Sequence, residues 1–179
     1  MLSFLLVTIV AQADVSARMY SGQAQGQLCN YAWTGEMPMR VKADDTFSKR
    51  DLAILHEAVK DFNRAIGLEL LVVSTDGGIS LTQAPRIAPG KAGVTKLYSK
   101  LGSCYIASAD ISILKNLEKS VMKAVLVHEF GHAFGLLHME DCSYMSETVE
   151  QMCKEFSEHH RYMLEILYSG RSKRYVSEP

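Results

Sequence analysis

The stretch from His128 to Met145, HEFGHAFGLLHMEDCSYM, constrains this chain more than any other. Residues four apart share one face of a helix, so His128 and His132 can grip a single metal ion. Glu129, beside the first of them, is placed to take a proton from a water in the metal's open position. Gly135 follows His132 by three residues. Glycine tolerates the left-handed conformation in which helices often end, and such a turn would bring His138 back as a third ligand. Three histidines with one position left to water describe a catalytic zinc site, whereas structural sites close with four protein ligands, usually including thiolates. An HExxH alone recurs by chance. The longer HExxHxxGxxH fixes five positions at two spacings, which packed or capped helix histidines have no reason to match.

The segment resembles the zinc-binding signature of the metzincin metallopeptidases, H-E-x-x-H-x-x-G-x-x-H followed by a Met-turn. Met145, seven residues past His138, is the Met-turn candidate. The resemblance implies that it forms an apolar floor under the metal without ligating it. The short spacing to Met145 and the phrase HEFGHAFGLLH look most similar to matrixin-like members. Two positions depart from subfamily patterns: Met139 follows the third histidine, and Glu147 stands where astacin-like and serralysin-like members carry a ligating tyrosine. The subfamily stays open. The resemblance implies an α+β fold of the zincin kind: a twisted mixed sheet with two helices, a zinc-site cleft and a small C-terminal helical subdomain. It also implies that substrate joins a sheet edge as an extended strand, which edges accept through backbone groups.

The 179 residues are 47% hydrophobic and 22% charged with formal net charge -1, enough for one globular domain with a sizeable core. Nothing in the charge pattern points to nucleic acid, since the one basic cluster, Arg171 to Arg174, lies in the tail. Met1 to Val10 is apolar and too short to span a bilayer, and Ala11-Gln12-Ala13 is a small-x-small cleavage site. Residues 1–13 therefore read as a signal peptide, although no Lys or Arg precedes the apolar run; a buried strand is the other reading. Residues 14–179 would form a single catalytic domain, secreted or periplasmic, monomeric and without a membrane anchor.

Four cysteines, Cys29, Cys104, Cys142 and Cys153, favour two disulfides in an exported chain. Three pairings are open. Cys142 with Cys153 would brace the Met-turn, leaving Cys29 with Cys104. Alternatively Cys29 is a latency thiolate like the cysteine switch of matrixin proenzymes, though Leu28-Cys29-Asn30-Tyr31 does not resemble that motif.

Elsewhere, Met37 to Ala43 reads as a strand, and Ser48 with Asp51 as a capping box that opens a helix ending at Gly67. Leu68 to Ser74 is a continuous apolar run, expected as a central strand. The stretch to Gly93 reads as loop with a short strand at Ile79 to Thr82. Val94 to Tyr98 and Cys104 to Leu114 read as strands joined around Gly102, with Asp110 satisfying a local backbone group. Leu117 opens the zinc helix. Thr148 with Gln151 caps a last helix running to Tyr168, with Phe156, Met163, Leu164 and Leu167 buried and His159 and His160 exposed.

The function expected is a zinc-dependent endopeptidase acting on protein or peptide substrates. His128, His132 and His138 hold one Zn2+, and Glu129 serves as base and then acid. Calcium is left open, with no residue pattern supporting it. The rival readings are an inactive zinc-binding interaction module and a narrow-specificity processing peptidase or aminopeptidase. The resemblance implies that residues just after Met145 wall the pocket for the side chain following the cleaved bond, where Glu147 and Glu150 would favour basic side chains, unless they simply charge a helix's first turn.

Overall fold

The structure is a computed structural model that describes residues 21–24, 27–99, 103–139, 142–148 and 153–176. The proposed signal peptide, Gly102, Glu150 and Gln151 lie outside these residues, as does the Cys29 side chain. In chain order come β1 (Ser21–Ala24), β2 (Gln27–Asn30), β3 (Ala32–Trp33), β4 (Met39–Ala43), α1 (Lys49–Ile66), β5 (Leu71–Val73), β6 (Ile79–Ala84), β7 (Gly93–Ser99), β8 (Tyr105–Leu114), α2 (Lys119–Ala133) and α3 (Glu158–Tyr168). β1 and β2 pair antiparallel as a separate ribbon. The other six strands form one sheet in the order β3-β8-β6-β4-β5, all parallel, with β7 added antiparallel to β8. Among the described residues the architecture is thus mixed α/β, with a mostly parallel sheet and three helices.

α1 begins where its sequence says it should. The Ser48 hydroxyl accepts from the Asp51 N–H while the Asp51 carboxylate accepts from the Ser48 N–H, and Gly67 closes the helix in the left-handed conformation at φ 80°. This reciprocal cap satisfies two of the helix's otherwise orphaned donors. Ile54, Leu55, Ala58, Val59, Phe62 and Ile66 recur at helical spacing and are buried. Phe62 is fully buried and packs edge-on to Phe130 at 5.9 Å and to Phe156 at 5.5 Å, with Phe134 at 5.5 Å. One aromatic of α1 therefore joins α2 to the segment before α3, and the described residues share one hydrophobic core.

Several expectations about the sheet and last helix are corrected. The apolar run Leu68 to Ser74 contains only the three-residue strand β5, which lies at a sheet edge rather than its centre. Leu68 and Leu70 are buried all the same. Asn63, buried on α1, accepts from the N–H groups of Leu70 and Leu71 at 3.0 Å each and donates to the Leu71 carbonyl at 2.9 Å. A side chain thus does there what strand pairing would have done. The central strand is β6, taken mainly for loop; its alternating burial places Ile79, Leu81 and Gln83 on the covered face.

The helix that ends at Tyr168, α3, starts at Glu158 rather than near Thr148, with the Ser157 hydroxyl accepting from the His160 N–H. His160 is fully buried, not exposed, because it shares one face with Leu164 and Tyr168 at four-residue spacing. Asp110 accepts a hydrogen bond from the Tyr98 hydroxyl at 2.8 Å instead of serving a backbone group.

Candidate metal centre

α2 carries the site because almost every residue of its second half is buried. From Val125 to Ala133 the chain lies against the sheet and α1, and this fixes the direction in which His128 and His132 project. The helix gives out at Phe134, and Gly135 takes the left-handed conformation at φ 86°. The N–H of Gly135 bonds back to His132 O at 2.9 Å and that of Leu136 to Gly131 O at 3.0 Å. This closure reverses the chain and returns His138 to the two helix histidines.

The three rings converge through one atom each. His138 Nε2 lies 3.0 Å from His132 Nε2 and 3.2 Å from His128 Nε2. Their other nitrogens decide what that closeness means. His128 Nδ1 sits 2.7 Å from the Tyr144 carbonyl, and His132 Nδ1 2.7 Å from the Leu136 carbonyl. A carbonyl only accepts, so both Nδ1 atoms carry the proton and both Nε2 atoms present bare lone pairs. The tautomer of His138 decides the rest: with its proton on Nε2 it donates to one of these lone pairs, and with the proton on Nδ1 three lone pairs face a point that a cation can occupy. Tetrahedral Zn–N bonds of 2.0–2.1 Å would set such nitrogens roughly 3.3–3.4 Å apart, close to the arrangement found. His128, His132 and His138 can therefore hold one metal ion, and the carbonyls behind two of them are the outer partners that orient ligating imidazoles.

Burial also sets the charge state. It pulls the His128 imidazole down to about 4 and His132 well below its usual range; His138 is lowered by burial and by the nearby charge of Lys91. All three are neutral at neutral pH, the form that binds metals. Glu129 moves the opposite way. Burial raises its carboxyl to about 7, against the lowering effects of the Thr95 hydroxyl and the Lys91 charge. A carboxyl poised there can both take and return a proton near neutral pH.

Below the histidines, Ser143 to Ser146 form a tight turn. Ser146 N–H donates to Ser143 O at 3.2 Å, and the Ser143 hydroxyl accepts from Met145 N–H at 3.1 Å. The turn delivers the Tyr144 carbonyl to His128 and buries Met145 completely beneath the helix. A Cβ on Gly131 would collide with Met145 Sδ and come within 3.3 Å of Phe156, so the glycine leaves the room that Met145 occupies. The Cys142–Cys153 disulfide ties the turn to the segment before α3, with Cα atoms 5.2 Å apart. Cys104 is also disulfide-bonded.

The cleft over the site, about 330 Å³, runs between α2 and the strand β7. Gly93, Val94 and Thr95 form one wall, Lys91 stands at its entrance, and Glu147 and Thr148 line the side beyond His138. Of the residues singled out in the sequence, His128, Glu129, His132, His138 and Met145 assemble here, and Glu147 reaches the rim. His159 is exposed elsewhere, as expected. Sequence reasoning missed Gly93, Thr95 and Lys91, whose only signal was a small-residue step, Ala92-Gly93, at the start of a strand. No family model matches the chain, and no curated protein sequence does either. Among the described residues no helix is long and apolar enough to cross a membrane.

Proposed function

We propose that this protein is a zinc-dependent endopeptidase of the metzincin type, working outside the cytoplasm. The observation that carries the reading is the convergence of three histidine Nε2 atoms beside a buried carboxyl at an open cleft. The sheet supports it as well. β7 is antiparallel, lies at the sheet edge and walls the cleft, so an extended peptide could pair with it and cross the histidines. The disulfide Cys142–Cys153 suits an oxidising compartment.

A zinc ion held by the three imidazoles would supply Lewis acidity, polarising the scissile carbonyl and making a nearby water more acidic. The chain does the rest. Glu129 accepts the proton from the attacking water and returns it to the departing amine, which its raised pKa allows at neutral pH. The Tyr144 and Leu136 carbonyls hold two imidazoles in the correct tautomer throughout. Met145 and the aromatic cluster beneath α2 keep the ligands from shifting.

The test is protein beginning at Asp14, expressed under oxidising conditions, beside its Glu129→Ala variant. Each is assayed for zinc and for cleavage of end-blocked peptides. One zinc in both, with cleavage reduced in the variant by about 10²–10⁴-fold, is the expected outcome. Zinc in both and cleavage in neither would favour an interaction module instead.

A further inference from the structure

Glu129 is not held by its own helix alone. Its carboxylate reaches across to β7, where the Thr95 hydroxyl lies 2.6 Å from Oε2 and 3.1 Å from the Glu129 carbonyl oxygen. A hydroxyl has one hydrogen, and the shorter approach assigns it to the carboxylate. Two residues earlier on the same side of the strand, Gly93 has no side chain. A Cβ there would strike Glu129 Oε1 and come within 2.7 Å of its Cγ and 2.8 Å of its Cδ. The carboxyl therefore occupies a notch in β7, open at Gly93 and latched at Thr95.

We propose that this notch is a seat for the general base, with Thr95 a positioning residue and Gly93 the space that admits it. The proposal rests on the endopeptidase reading for its kinetic meaning. β7 then has two roles on one backbone. Its outer edge faces the cleft where a peptide would lie, while its inward side chains fix the group that moves the proton. The distance between base and scissile bond is set by a single strand rather than by two elements that move independently. Orientation of this kind acts on the chemical step more than on binding.

The experiment compares the parent chain with Thr95→Val, which keeps the shape and loses the hydroxyl, and with Thr95→Ser, which keeps the hydroxyl. Zinc per chain, thermal midpoint, kcat and KM on an end-blocked peptide, and a crystal structure are obtained for each. We expect one zinc in all three and KM within about twofold. kcat should fall about 10–100-fold in Thr95→Val, the worth of a hydrogen bond to a charged group, and return to within a few-fold in Thr95→Ser. The crystal structure of Thr95→Val should show the Glu129 carboxylate displaced from β7. An active parent whose Thr95→Val variant keeps its kcat, or whose Thr95→Ser variant falls equally far, would overturn the proposal. An inactive parent would count against the endopeptidase reading instead. The seat is then still decided by the Glu129 position: displaced in Thr95→Val it stands, unchanged it falls.

Discussion

The two walls of the cleft are built on different principles. The α2 wall is local: its histidines, their turn and their floor all come from residues 128–146, and the two helix histidines are buried and braced by backbone carbonyls from the same stretch, while His138 is exposed at the cleft. The β7 wall is long-range. Its residues are half-exposed, and they meet the site only because β8 carries β7 to a position opposite α2. On the proposed reading, metal binding and the placing of substrate and base are therefore separable. Damage to one wall should be readable without damage to the other.

The largest effect should come from the α2 wall. His132→Ala removes a buried ligand, and zinc affinity should drop by more than the roughly 10–100-fold that losing an outer partner costs. Cleavage should fall to background with the far-ultraviolet circular dichroism intact. If His132→Ala binds zinc as the parent does, the two walls are not divided as described.

Acid should expose the same wall in the metal-free protein. The folded His128 imidazole titrates at about 4 against an ordinary 6.5, so between those values the unfolded chain takes up a proton that the folded chain refuses. Stability is therefore lost as pH falls from about 6.5 to about 4, by on the order of 3 kcal/mol from His128 alone. Glu129 opposes this. Its raised pKa adds stability at low pH that is lost as pH rises from about 4.5 through about 7. Urea titrations of metal-free Glu129→Gln isolate the histidines and should show the acid loss more steeply than the parent.

Gly131→Ala sharpens the comparison further. Alanine favours a helix by up to about 1 kcal/mol, but here its Cβ meets Met145, and overpacking costs about 1–3 kcal/mol. A net loss of about 1–2 kcal/mol in denaturant and weaker zinc binding are expected. A stabilised variant with parental zinc affinity would show that Met145 is no floor. The smallest effect belongs to the rim. Glu147→Gln should leave zinc content and stability unchanged and reduce any preference for peptides with a basic side chain after the cleaved bond by no more than about fivefold, since exposed ion pairs contribute under about 1 kcal/mol.

The same division explains what was legible in the sequence. His128, Glu129, His132, Gly135, His138 and Met145 could be placed because their spacing maps directly onto one helix, one turn and one return. α1 was equally legible, with a capping box at its start, glycine at its end and one apolar face. Strand order was not. The run Leu68 to Ser74 looks central because it is apolar, yet its burial comes from α1 and from Asn63, a contact that apolarity does not encode. Ile79 to Ala84 looks weak because one face carries serine and threonine, yet it lies mid-sheet between β4 and β8. Gly93 and Thr95 gain their meaning from the Glu129 carboxyl, 34 residues beyond Thr95, which no local pattern could announce. His160 was misjudged because its neighbour His159 says nothing about which face of α3 turns inward.

The most direct measurement of the central claim is a calorimetric titration of zinc into the metal-free chain at pH 7, with His138→Ala alongside. One site per parent chain is expected, with little proton release because the imidazoles are already neutral, and a markedly weaker site in the variant. A folded parent that binds no zinc, or a variant that binds it as tightly, would contradict that claim.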